Sequence, residues 1–188
     1  MESTAVSHES SLHFNKQTMA QGGLTTKTAD VSVFPYHPDT PTFRYTYARY
    51  YDRMHAIDQQ VTRIVSQLKQ DGLFEHTIIF YFGDHGGVLP RSKRFLLDTG
   101  IHCPLIVRIP KKFAHFYPAE KPGQNVERIV SFIDMPKTWL ALAGAKIPES
   151  MQGHVFLGSA KEAEREYAVA YRGRMDERCD SARAVRDK

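Results

Sequence analysis

Between Thr42 and Gln70, apolar and aromatic residues recur three or four positions apart, at Tyr47, Tyr51, Met54, Ile57, Val61, Ile64, Val65 and Leu68. That is the spacing of one stripe along an amphipathic helix. Asp71-Gly72 supplies its stop, because glycine enters the left-handed conformation that closes a helix without a Cβ clash. Upstream, Pro35, Pro38 and Pro41 keep the chain extended until Thr40 or Thr42 can cap the helix. The pattern then changes period. Thr77 to Phe82 is a short β-branched and aromatic run that opens into Gly83-Asp84-His85-Gly86-Gly87, and Pro104 to Pro110 is a second such run. Both read as strands covered on two faces. Val130 to Asp134 leads through Met135-Pro136 into an apolar helix ending near Gly144. Lys161 to Glu166 reads as the start of a polar helical stretch ahead of Tyr167 to Tyr171. Residues 1–30 are polar, rich in Ser, Thr and Gln, and read as loop. Helices alternating with buried strands predict an α/β fold.

The 188 residues suffice for one globular domain. No run of eighteen apolar residues suggests a membrane span, and no basic then apolar leader begins the chain. Lys and Arg number 25 against 21 Asp and Glu, and the excess is interleaved with acids. That is a solvated mixed surface and not a nucleic-acid stripe. Two cysteines, Cys103 and Cys179, are too few for a disulfide scaffold, though a single bridge between them stays open.

The chemistry concentrates at Asp84-His85. Ligands of open α/β sheets bind at the carboxyl ends of strands, and glycines on either side leave a carboxylate and an imidazole unshielded, as a metal requires. The plainer alternative is an Asp that caps a turn and a His bonded locally. Arg91, Lys93 and Arg94 follow on the loop between the strands. Cations beside a metal suit a multiply charged oxyanion such as sulfate or phosphate; alone, the run is equally a solvated basic loop. His8 and His102 are candidates for a general acid or an oxyanion contact, and the other histidines read as structural. The sequence has no Gly-x-Ser-x-Gly elbow, Gly-rich phosphate loop or His-Glu-x-x-His helix, so it shows cations and metal donors without an evident nucleophile.

Asp84-His85-Gly86, Lys93 and the run from Leu97 to Arg108 together resemble the sulfatases of the alkaline-phosphatase-like superfamily, with the nearest look to bacterial heparan N-sulfatase-like members. Pro38-Asp39-Thr40-Pro41, Val130 to Asp134, Met151-Gln152-Gly153 and Arg172 to Glu177 extend the resemblance over nearly the whole chain. It implies an incomplete sulfatase sandwich, α/β, with a mixed, mostly parallel sheet and flanking helices. It further implies that residues 31–158 are the carboxyl-terminal part of the catalytic domain and 159–188 the start of a truncated carboxyl-terminal subdomain. By the same resemblance Asp84 and His85 ligate a divalent metal, calcium first, or manganese or zinc if the chain is a phosphodiesterase or phosphonate hydrolase of that superfamily. Lys93, seven residues before Gly100, contacts the sulfate, and His8 in Ser7-His8-Glu9-Ser10 contacts the sulfate or leaving group.

The family's formylglycine motif, Cys-x-Pro-Ser-Arg or Cys-x-Ala-Ser-Arg, does not occur in these residues, and Cys179-Asp180-Ser181-Ala182-Arg183 has Ser181 where Pro or Ala belongs. The expectation is therefore a piece of a sulfuric ester or sulfamate hydrolase for sulfated glycans, inactive alone, whose partner is the missing amino-terminal part of its own domain. An alternative from another class, suggested by the absent nucleophile, is a non-catalytic oxyanion- or glycan-binding remnant. For the parent protein a periplasmic or secreted location is implied.

Overall fold

A computed structural model describes residues 19, 22–118, 121–175 and 178–188. His8, the sequence's candidate for the leaving group, lies outside the described residues.

Helix α1 spans Pro41–Gln70. Thr40 caps it, its hydroxyl accepting the Phe43 N–H at 3.3 Å, with Pro41 in the first turn where no partner for a backbone N–H is lost. Asp71 closes the other end and Gly72 takes φ +69°. Only the first turns of its stripe are sealed. Tyr47 and Ala48 are buried with Val31 and Leu89, whereas Met54, Ile57 and Ile64 are exposed. Asp52 ties down the preceding segment by accepting from the Thr25 and Thr26 N–H groups and the Thr26 hydroxyl.

Strand β1, Ile79–Phe82, pairs with β2, Leu105–Arg108. The short helix α2, Asp98–Ile101, lies between them in sequence. The pairing is antiparallel, Phe80 opposite Val107 and Phe82 opposite Leu105. A mostly parallel sheet was the sequence expectation, and the described strands correct it. A parallel pair needs a crossover that carries the chain back along the sheet. Here residues 83–104 double back on themselves, the Gly83 N–H donating to the Pro104 carbonyl at 3.2 Å and the Gly86 N–H to that of Gly100 at 3.0 Å. Strand β2 therefore begins where β1 ends. Nor is the apolar run covered on both faces. Phe80, Leu105 and Val107 pack on Met135, Phe156 and Leu157, while Ile106 on the opposite face is 62% exposed.

Helix α3, Asp134–Leu142, follows. Its Trp139 meets Phe80 edge-on, with ring centroids 6.0 Å apart. Residues 161–166, expected as helical, form none: Arg165 bridges to Ile129, and Glu162 turns back to the Val155 N–H and the Lys137 ammonium. These distant partners outweigh local helix propensity. The chain then forms β3, Ala168–Met175, antiparallel to β4, Arg178–Arg186. This hairpin reaches the loop after β1, since Arg172 donates to the Arg94 carbonyl at 3.1 Å and Arg186 pairs with Asp98 at 3.1 Å. Both cysteines are free. No helix of the described residues is long and apolar enough to cross a membrane.

Candidate functional site

Asp84 and His85 follow directly on the carboxyl end of β1. Their side chains converge, His85 Nε2 lying 3.4 Å from Asp84 Oδ2. His85 Nδ1 is 2.8 Å from the Gly86 carbonyl oxygen. A carbonyl only accepts, so Nδ1 carries a proton, and Nε2, which faces a carboxylate oxygen, either carries a second proton or offers a lone pair. Two lone-pair atoms at that distance repel unless a proton or a cation lies between them. Adjacent donors on a divalent cation stand about 3.0–3.5 Å apart, given bonds of about 2.0–2.6 Å. The Asp84 side chain is 83% exposed and so reachable by an ion. The pair thus fits two positions of a metal's coordination, with the imidazole tautomer fixed by the carbonyl behind it, as metal-ligating histidines require. Among the described residues no group of three or more His, Cys, Asp or Glu could hold a metal. Cys103 is no substitute ligand: burial, then the Asp84 charge, pushes its pKa up and keeps it a thiol.

Glycine makes this turn possible. A Cβ on Gly86 would stand 2.2 Å from the Thr99 carbonyl oxygen, and one on Gly100 would stand 2.1 Å from that of Phe95. Two backbones meet where no larger residue fits. Gly87 is close to the tip of Tyr50 on α1.

The basic loop is fastened to the same turn. The Lys93 N–H donates at 2.9 Å to the carbonyl of Gly87, the residue two beyond His85, which ties the Lys93 backbone to that turn. Further anchors hold its flanks. The Thr99 hydroxyl donates to the Arg91 carbonyl at 2.6 Å. His37, buried beside α1, donates from Nε2 to the Pro90 carbonyl at 3.0 Å and accepts the Tyr47 O–H on Nδ1 at 2.8 Å. Burial holds the His37 pKa down, against the Pro90 hydrogen bond and helped by the charge of Arg91. Two residues of the loop are driven into the left-handed region, Arg91 at φ +60° and Arg94 at φ +74°. Each costs about 1–2 kcal/mol, which the anchors must offset. Arg91 carries its guanidinium over the Tyr36 ring, 5.3 Å from the centroid.

Of the residues singled out in the sequence, Asp84 and His85 come together, and the Lys93 backbone is bonded to their turn. His102, the other candidate acid, is exposed and follows α2. Sequence reasoning missed His37, whose partners lie 10 and 53 residues away; its proline-flanked, aromatic-rich neighbourhood was the available signal.

The sulfatase family model matches residues 5–145. The chain belongs to the sulfatase family. The α/β arrangement accords with an incomplete alkaline-phosphatase-like fold. An ulvan-active sulfatase of Formosa agariphila is 40% identical over 162 residues, covering 86% of this chain and 26% of its own length. The N-acetylglucosamine-6-O-sulfatase of Bacteroides thetaiotaomicron is 32% identical over 102 residues, 52% of this chain and 17% of the relative. Among solved structures, a phosphonate monoester hydrolase from Silicibacter pomeroyi superposes with a TM-score of 0.55 at 29% identity, over 78% of this chain and 29% of the other. The chain therefore spans about a quarter or less of the relatives it matches.

Proposed function

We propose that this chain carries the metal-holding and sulfate-gripping part of a sulfuric ester hydrolase acting on sulfated glycans. In this reading residues 31–158 are catalytic-domain sequence and 159–188 open the next subdomain. The observation that carries the proposal is the Asp84–His85 pair, 3.4 Å apart beyond the end of β1, with the Lys93 backbone fastened to the same glycine turn. Asp84 and His85 would hold a divalent cation, calcium by family resemblance. Bound there, a cation supplies Lewis-acid polarisation of a sulfate oxygen. Lys93 contributes a fixed positive charge against the sulfonyl oxygens, where charge grows in the transition state. His8 is proposed to assist the leaving group. The attacking group is assigned to a formylglycine, whose motif these residues do not contain, so the chain by itself binds the oxyanion without turnover. The relatives named as an ulvan-active sulfatase and an N-acetylglucosamine-6-O-sulfatase support a glycan as substrate.

A second reading, a phosphonate or phosphodiester hydrolase, is favoured by the structural likeness to the phosphonate monoester hydrolase. Calorimetric titration with Ca²⁺, inorganic sulfate and methylphosphonate separates the two. The sulfatase reading expects Ca²⁺ binding that Asp84→Asn and His85→Ala remove, sulfate binding that Lys93→Ala weakens at least tenfold, and weaker uptake of methylphosphonate. A preference for methylphosphonate transfers the assignment to the second reading. Variants that bind as the parent does overturn both.

A further inference from the structure

Beside the Lys93 loop, three side chains form an exposed strip. Phe34 and Tyr36 stack with ring centroids 5.4 Å apart and planes inclined by 24°, and the Arg91 guanidinium lies 5.3 Å from the Tyr36 centroid. Phe34 is 41% and Tyr36 43% exposed. Both ring faces are thus within reach of a ligand at the surface. The strip is also built. His37 packs its ring against Tyr36 in a T-shaped contact at 4.5 Å, while its Nε2 holds the Pro90 carbonyl that precedes Arg91. Thr99 holds the Arg91 carbonyl. Between those anchors Arg91 is forced to φ +60°, a conformation a residue with a side chain adopts only under constraint. The constraint sets Arg91 above the Tyr36 ring, two residues from Lys93.

The chemistry of such a strip is that of an anionic sugar. A sugar ring presents polarised C–H groups on its faces, which settle against the negative face of an aromatic ring. A guanidinium stacks by its flat face and hydrogen-bonds from its rim, so a stacked arginine still grips a carboxylate or sulfate in two-pronged fashion. Aromatic walls with a few fixed polar groups are the general make-up of a ligand site. We propose that Phe34, Tyr36 and Arg91 form a subsite for a second, anionic sugar unit of a glycan whose scissile sulfate lies at Lys93. This rests on the sulfated-glycan reading of the Lys93 site and adds to it that the substrate is an oligosaccharide, gripped beyond its reacting unit.

The test compares binding of the 188-residue chain to N-acetylglucosamine 6-sulfate and to a sulfated heparin tetrasaccharide, by titration calorimetry. The parent is expected to bind the tetrasaccharide at least tenfold more tightly than the single sugar. Tyr36→Ala should remove most of that gain while leaving the single-sugar affinity within twofold, Arg91→Ala should also remove most of it, and Tyr36→Phe, which keeps the ring, should retain it. Thermal unfolding checks that the three variants fold as the parent does; all three alter exposed side chains. Lys93→Ala should weaken both ligands. If Lys93→Ala weakens both but Tyr36→Ala and Arg91→Ala change neither, the subsite is wrong and the Lys93 site stands. If Lys93→Ala changes neither, the sulfate site itself fails and the subsite with it. A parent that binds both ligands equally, or neither, overturns the subsite.

Discussion

Arg165 grips Asp134 with two hydrogen bonds, Nη2 to Oδ1 at 2.6 Å and Nε to Oδ2 at 3.1 Å. The same carboxylate, 1% exposed, accepts the Ser131 N–H at 2.9 Å and the His154 N–H at 2.8 Å. Four donors thus converge on one buried anion at the start of α3, joining residues 131, 154 and 165 behind the face that β2 packs on. Burial works to raise the Asp134 pKa, but the Arg165 hydrogen bond and then those from Ser131 and His154 outweigh it and hold the carboxyl below its usual range.

Removing Arg165 leaves the buried Asp134 charge with only the Ser131 and His154 backbone donors. Arg165→Ala is therefore expected to cost about 3–5 kcal/mol, and Arg165→Lys, which keeps the charge but loses the fork, less. Because the folded pKa lies below the unfolded value of about 3.9, the stabilisation is complete above that pH and is lost as pH falls through the folded pKa. Urea unfolding of parent and variant between pH 7 and 3 checks both points. Equal stabilities at pH 7 would mean that the pair contributes nothing net.

His37 gives a second pH signature, at higher pH. Its pKa is lowered from 6.5, chiefly by burial. Protonation then favours the unfolded chain, so the native state keeps its full margin above 6.5 and loses stability as pH falls below it toward the folded value. His37→Gln should lower the unfolding midpoint at pH 8 and flatten its fall between pH 8 and 5. An unchanged slope in the variant would show that His37 is not the buried neutral group described here.

How much of this was legible from the sequence depended on the range of the interaction. Helix α1, with Thr40 before and Gly72 after, follows from periodicity and caps within one segment. So do β1 and β2 as apolar runs, and the Asp84-His85 turn as glycines after a strand. Strand direction was not legible, because an apolar run does not say whether the chain doubles back, and here the Gly86–Gly100 approach makes it do so. Nor was the Asp134 cluster. Arg165 lies 31 residues from Asp134, and residues 161–166 have a helical composition that tertiary hydrogen bonds override. Arg91 and Arg94 read as a basic run, and nothing local announces their left-handed backbone.

The Gly86–Gly100 approach gives a graded prediction. Gly86→Ala and Gly100→Ala would place a Cβ at 2.2 and 2.1 Å from backbone oxygens, which must move, at an expected cost of about 1–3 kcal/mol or more. In Gly87→Ala the nearest atom is the Tyr50 hydroxyl at 2.8 Å, the end of a side chain, so a smaller loss is expected. Thermal melts of the three variants should rank in that order. Gly86→Ala should also weaken Ca²⁺ uptake, since it displaces the turn that carries Asp84 and His85. Three equal melts would contradict the close approach.

The central claim, that Asp84, His85 and Lys93 serve one sulfate-cleaving site, is tested most directly by turnover in a chimera. This chain would replace the matching segment of the 40%-identical ulvan-active sulfatase of Formosa agariphila, the rest of which would supply whatever the site takes from outside these residues. The measurement is kcat and KM for an aryl sulfate, in the chimera and in its Asp84→Asn, His85→Ala and Lys93→Ala forms, each checked for folding by its melting curve. Expected are turnover in the chimera, a fall of at least about a hundredfold in kcat/KM for each variant, and partial recovery of Asp84→Asn at raised Ca²⁺. A folded chimera without turnover, or variants that cleave the ester as fast as the chimera does, would contradict it.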